Sequence, residues 1–270
     1  MQLVKSTERQ RATWSNEQLH RPTTEPTGRS RAAGPLAWSR PMRTRRLPNE
    51  RFVVLAGLSL ATALCVALEL VRERYFGDVG FRFLLWNLTL AWIPLVVALV
   101  VYDGYRRGLP PASLTPAVLI WLLFLPNAPY IVTDFVHLGP PGRTPLWFDA
   151  VVISSFAWTG MLLGFVSLYL LHAVARHRFG ARLGWTAALS ALALTSVGVY
   201  MGRFLHWNSW DLVLRPGQRL AEIAPGFAQT TALVHASAVM ILVTGLLAMT
   251  YLAFYALIGL RIDSGRHATR

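Results

Sequence analysis

WLLFLPNAPYIVTDFVH, residues 121–137, decides how this chain is read. An apolar run reaches Leu125 and meets Pro126. Asn127, Pro129, Tyr130, Asp134 and His137 follow at once. Proline lacks a backbone donor and disfavours helix in the residue before it. A helix that begins near Ser113 is therefore expected to break near Leu125. Residues 113–125 rise roughly 20 Å as helix, against a bilayer core about 30 Å thick. The break is expected inside the hydrocarbon, near one face. Irregular backbone at that depth is tolerated only when buried in protein or lining a wet cavity.

Composition agrees with a membrane reading. Of 270 residues, 54% are apolar and 14% charged, against roughly 25% charged in a soluble domain. Mean hydropathy is +0.41. The formal charge of +13 lies mostly in the first 51 residues and in short loops between apolar runs. That placement writes membrane topology, so nucleic-acid binding is not expected. Cys65 is the only cysteine, which rules out an intrachain disulfide and a Cys-rich zinc motif.

Residues 1–50 are polar, Arg-rich and without periodicity, and are expected to form a disordered cytoplasmic tail. No signal peptide is expected, because no apolar stretch follows the first basic residues. Met42 opens a compact basic flank. Either it marks the functional start, or the preceding residues are an ordinary tail. Residues 51–262 read as an all-α, polytopic bundle of about six spanning helices: 52–70, 83–102 with Pro94 as a kink, 113–132, 150–172, 183–203 and 231–260. Gly160 and Gly164 form a GxxxG suited to close helix packing. The tail and alternate loops hold 19 Arg and Lys, and the other side holds 7. The positive-inside rule then puts both termini in the cytoplasm.

This topology gathers residues on the outer side. Tyr130, Asp134 and His137 share a face if helix resumes at Pro129, with Asn127 as its cap. A carboxylate three residues before an imidazole can orient it. Three readings stay open: a hydrogen-bonded cluster that satisfies the broken backbone, a ligand or ion site, or catalysis with Asp134 or His137 as base. The second stretch, YMGRFLHWNSWD (200–211), puts Arg203, His206 and Trp210 on one face. Arg203 either snorkels to the head groups or pairs with Asp134 or an anionic head group. Asn208, Ser209 and Asp211 read as turn or cap chemistry. Trp86, Trp147, Trp207 and Trp210 suit an aromatic belt.

The ligand-binding candidates are Asn127, Tyr130, Asp134, His137, Arg203, His206, Asn208 and Asp211. His137, His206 and His235 lack metal-motif spacing, so no metal is assigned. No Walker A, GxGxxG or nucleophile-elbow motif is present, and the sequence names no cofactor. His172 and His177 flank a basic inner loop and are expected to be solvated.

LPNAPYIVTDFVHL (125–138) and GRFLHWNSWDL (202–212) resemble the DUF1361 family of bacterial membrane proteins. The resemblance covers roughly residues 55–260. Its hallmark positions fall here on Pro126, Asn127, Pro129, Tyr130, Asp134, Arg203, Trp207, Asn208, Trp210 and Asp211. It implies a multi-pass protein of the bacterial inner membrane and names no reaction. The bilayer is the expected partner. The leading expectation is a membrane protein whose outer-face polar pocket binds a small ligand, ion or lipid head group. A helix broken at proline beside charged groups is how transporters build sites, although no inverted repeat is visible. The alternatives are an enzyme acting on a lipid or envelope substrate, and a scaffold or accessory subunit.

Overall fold

Each apolar run becomes a helix, because only helices and closed barrels satisfy every backbone donor and acceptor within hydrocarbon. The computed structural model describes residues 48–139, 143–206, 217 and 230–267, all within the unit Arg40–Arg270. The tail up to residue 47 lies outside these. Helix α1 is Pro48–Val71, followed by a widened π turn, Arg72–Phe76. Gly77 ends that turn at φ +67°, a left-handed value that glycine adopts without strain. Helix α2 is Arg82–Arg106, α3 is Pro111–Phe124, and α4 is the single turn Asn127–Tyr130, continued by a 3-10 stretch, Ile131–His137. Helix α5 is Leu146–Phe179, α6 is Ala181–Phe204, and α7 is Thr230–His267. No strand occurs among the described residues.

Six of these stretches are long and apolar enough to cross a membrane, as the hydropathy pattern predicts. Several outrun the apolar runs read from sequence. Helix α5 has 34 residues, roughly 50 Å at 1.5 Å per residue, so it projects beyond the hydrocarbon. It is also the centre of the bundle. Of its most apolar window 61% is buried, against 17% for the first span and 11% for the last. The outer spans turn Phe52, Leu60, Ile241, Leu242 and Met249 outward, a surface that only lipid or protein can cover.

The chain passes up and down. The Arg51 guanidinium meets Asp103 at 2.9 Å at one end, where Tyr105 Oη also meets His177 Nδ1 at 2.8 Å. The break, residues 72–82 and the end of α6 lie at the other, here called the site end. Two apolar cores fill the interior. Nearer the site end, Leu84, Leu88, Ala128, Ile131, Val152 and Phe156 pack together. Nearer the Arg51 end, Val101, Trp121, Phe165, Leu192 and Tyr251 do so. Interhelical hydrogen bonds cross these cores, such as Trp121 Nε1 to Ser167 Oγ at 3.2 Å.

The break interrupts the hydrogen-bond ladder more than the path of the chain. Leu125 and Pro126 both keep right-handed helical dihedrals. Pro126 and Pro129 withhold two donors, and the remaining groups re-pair locally. Ala128 N donates to Leu125 O at 3.1 Å and Tyr130 N to Pro126 O at 3.0 Å. Asn127 Nδ2 donates to Phe124 O at 3.0 Å. Asn127 therefore caps the end of α3 rather than the start of the next helix. The backbone never leaves helical space at 125–126, so the side chain points back along the chain.

The segment is then clamped by glycines of two neighbours. A Cβ on Gly160 of α5 would lie 2.6 Å from Ala128 O, and one on Gly198 of α6 would lie 2.7 Å from Pro126 Cβ. Gly164, the other half of the GxxxG, meets Ala128 Cβ in the same way at 2.9 Å.

A second expectation, besides the Asn127 cap, is overturned. His172 is buried, not solvated. Its Nδ1 meets the Tyr251 hydroxyl at 2.9 Å, and its ring lies 4.5 Å from that of Trp185. Helix α5 continues past His172 to Phe179, so this histidine belongs to the helix interior. His177, one and a half turns on, is exposed as expected.

Gly160→Ala and Gly198→Ala should each lower stability by about 1–3 kcal/mol, the usual cost of overpacking. Gly57→Ala, whose added Cβ meets nothing within 4 Å, should leave it unchanged or slightly raised. Thermal midpoints in one detergent check this, and equal effects at all three positions would contradict it.

Candidate functional site

At the site end, residues from three spans converge. Asp134 sits on the 3-10 stretch and is 1% exposed. Its Oδ2 accepts a hydrogen bond from Asn87 Nδ2 of α2 at 3.1 Å. Its Oδ1 faces two further groups without bonding to either: Arg203 Nη1 of α6 at 3.7 Å and His137 Nδ1 at 3.8 Å. His137 Nδ1 lies closer to the Asp134 backbone oxygen, at 3.2 Å. A carbonyl only accepts, so Nδ1 carries the proton and Nε2 is left for another partner. The Phe83 ring lies 4.8 Å from the imidazole and holds it in place.

Beside this carboxylate is a cleft of about 390 Å³, lined by Phe83, Asn87, Tyr130, Asp134, His137, Arg203 and His206. The 3-10 geometry stacks Asp134 and His137, three residues apart, on one face, and Tyr130 reaches the cleft from the turn before them. His206 follows the end of α6 at φ +55°, a left-handed conformation uncommon for a residue with a Cβ. Backbone held in such a state clusters at functional sites.

Five of the eight candidates, Tyr130, Asp134, His137, Arg203 and His206, meet at this cleft. Asn127 does not line it and turns to the end of α3. Asn208 and Asp211 lie outside the described residues, as do Trp207 and Trp210. Trp86 and Trp147 are exposed at the site end, where an aromatic belt would place them. His235 is exposed against Phe204 and does not reach the cleft. Among the described residues, no group of three or more His, Cys, Asp or Glu is placed to hold a metal ion.

Sequence reasoning missed Phe83, a lining residue without polar chemistry, and gave Asn87 no role. It also missed a second cluster at this end. Arg72 is 2% exposed. It donates to Asp149 Oδ1 at 2.8 Å, Asp78 Oδ2 at 2.8 Å and Asp78 O at 3.2 Å, and lies 3.8 Å over the Phe81 ring. This guanidinium fastens the end of α1 to the following loop and to the first turn of α5. Nearby, Glu73 pairs with Arg82. Glu69 is fully buried, and neither carboxyl oxygen has a hydrogen-bond partner among the described residues. The signal was present as Glu69, Arg72 and Glu73 at i, i+3 and i+4, within the last turns of a span.

The family model described as "Protein of unknown function (DUF1361)" matches residues 86–251, and the chain belongs to that family. A search of curated proteins found no match, and neither did a search of solved structures.

The two clusters should respond differently to substitution. Arg72→Gln leaves two part-buried carboxylates without their cation and should cost about 1.5–3 kcal/mol. Asp134→Asn keeps the shape and an acceptor for Asn87, and should stay within about 1 kcal/mol of the parent. Unfolding in detergent measures both, and an Asp134→Asn loss as large as that of Arg72→Gln would contradict the distinction.

Asp78 adds a pH dependence. The Gly80 backbone N–H, at 2.9 Å, and the Arg72 guanidinium hold its carboxyl below the usual range, against the opposing effect of burial. A depressed carboxyl contributes stability above its unfolded value of about 3.9 and loses it as pH falls through the folded value. An acid titration should therefore show a loss below about pH 4 that Asp78→Asn flattens. A titration identical in both proteins would contradict this role.

Proposed function

We propose that this is an integral protein of the bacterial cytoplasmic membrane that binds a small polar ligand, ion or lipid head group in the Asp134 cleft. The carrying observation is a contrast between two arginines at one end of the bundle. Arg72 closes onto its carboxylates at 2.8 Å and is 3% exposed in its side chain, whereas Arg203 stands 3.7 Å from Asp134 and is 21% exposed. A cluster that serves only to hold helices together closes like the first. The second leaves charged groups facing an open cleft, with room between them for a water or a ligand atom.

The orientation rests on charge. The end opposite the cleft carries Arg51, Arg106, Arg107, Arg176, Arg178 and Arg182, the pattern of a cytoplasmic face. Both termini then lie in the cytoplasm, and the cleft opens on the outer side at head-group depth. Catalysis by Asp134 or His137 needs a reacting bond held in the same cleft, and binding is the simpler reading of the same geometry.

Labelling tests openness and orientation together. In a Cys65→Ala background, a membrane-impermeant maleimide added to intact cells should modify His206→Cys and His137→Cys. It should modify Arg107→Cys only after the membrane is opened. The reverse pattern would overturn the orientation. No reaction at either cleft position would favour a closed, structural cluster.

A further inference from the structure

The groups around the cleft specify what it takes. Among the described residues the Arg203 guanidinium makes no hydrogen bond, and its nearest charged neighbour is Asp134 at 3.7 Å. The Tyr130 hydroxyl and the His206 ring likewise have no hydrogen-bond partner there. His137 keeps Nε2, the accepting nitrogen of the neutral ring, after its Nδ1 turns to the Asp134 carbonyl. The one carboxylate, Asp134, is 1% exposed and already accepts from Asn87. Arg203 can only donate, the Tyr130 hydroxyl and the His206 ring can each donate, and the carboxylate lies beneath them.

We infer that the cleft holds a phosphate group, an inference that rests on the binding reading above. Arg203 offsets the charge of Asp134 and still offers up to five N–H donors in a fork that matches oxyanion geometry. Two further donors come from separate elements: Tyr130 from α4 and His206 from beyond α6. Donors that approach from three elements suit a tetrahedral group, whose oxygens point in several directions, better than a planar carboxylate. The Asp134 carboxylate is not itself a phosphate ligand. It faces Arg203, and the Asp134 backbone carbonyl fixes the His137 tautomer.

The phosphate has two sources that share this chemistry, a phospholipid head group and a soluble phosphate. The surroundings agree with the lipid source. Trp86 is 57% exposed and Val136 is 65% exposed on the elements that carry Asn87 and Asp134, and Phe83 forms one wall of the cleft.

The full-length protein, delipidated in detergent, should be tested by native mass spectrometry and thermal shift against four probes: phosphatidic acid, diacylglycerol, inorganic phosphate and tetramethylammonium. Phosphatidic acid should bind at least about tenfold more tightly than diacylglycerol, a loss in keeping with removal of charge-assisted hydrogen bonds. Inorganic phosphate that competes at millimolar concentration indicates the soluble source, and binding of phosphatidic acid alone indicates the head group. Either supports the inference.

Variants locate the site. Tyr130→Phe, which removes only the hydroxyl donor, should weaken phosphatidic acid severalfold. Asp134→Asn should bind it as tightly as the parent or more so. Adding Arg203→Gln in the Asp134→Asn background, where no buried carboxylate is left unpaired, should weaken it about tenfold or more. Equal binding of diacylglycerol, or a shift by tetramethylammonium that Asp134→Asn abolishes, would overturn the phosphate inference and leave the cleft as a binding site. No shift with any probe would overturn both.

Discussion

Two prolines three residues apart withdraw backbone donors where a membrane offers no replacement, and the rest of the structure answers that constraint. Groups buried in hydrocarbon must be paired within the protein. The chain meets the demand by keeping helical dihedrals through Leu125 and Pro126, and by re-pairing Ala128, Tyr130 and the Asn127 side chain onto neighbouring carbonyls. Glycines at 160 and 198 then let α5 close onto the Ala128 carbonyl and α6 onto the Pro126 ring. That contact puts α5 at the centre of the bundle and brings the end of α6 beside Asp134.

From that packing the cleft follows. The 3-10 stretch beyond the break turns Asp134 toward α2 and α6, where Asn87 and Arg203 meet it. An ordinary helix through residues 121–137 would leave the ladder whole and would not need the same glycine contacts. The local disruption thus supplies both the depth of the carboxylate and the opening beside it. Arg72, at the same end, performs the opposite task. It saturates its acids and ties the end of α1 to α5, so the site end is fastened at one point and open at another.

Much of this architecture was legible before any coordinates. Hydropathy found the six spans, and the proline after Leu125 found the break. Alternation across the membrane put residues 126–137 and 203–206 at one end. Pairing of Arg203 with Asp134 was one of two stated readings. What stayed hidden depends on angles between helices. Nothing in the sequence says that Asn87, and not another polar residue at that end, reaches Asp134 across 47 positions. Nor does anything local to Arg72 point to Asp149, which lies 77 residues away. His172 looked solvated because Trp185 and Tyr251, which enclose it, come from two other helices. Asn127 was assigned to the wrong helix end because the direction of its side chain is set by dihedrals that the residue before a proline does not usually adopt.

The central claim is that Asp134 and Arg203, from segments far apart in sequence, sense each other's charge at the site end. A double-substitution cycle on thermal or denaturant stability in lipid-like detergent measures this most directly. Arg203→Gln alone leaves Asp134 buried without a cation and should be costly. In the Asp134→Asn background the same change should cost little, giving a coupling of about 1 kcal/mol or more. A coupling below about 0.3 kcal/mol, within the additivity of independent sites, would mean that the two segments do not meet and that the account of the cleft is wrong.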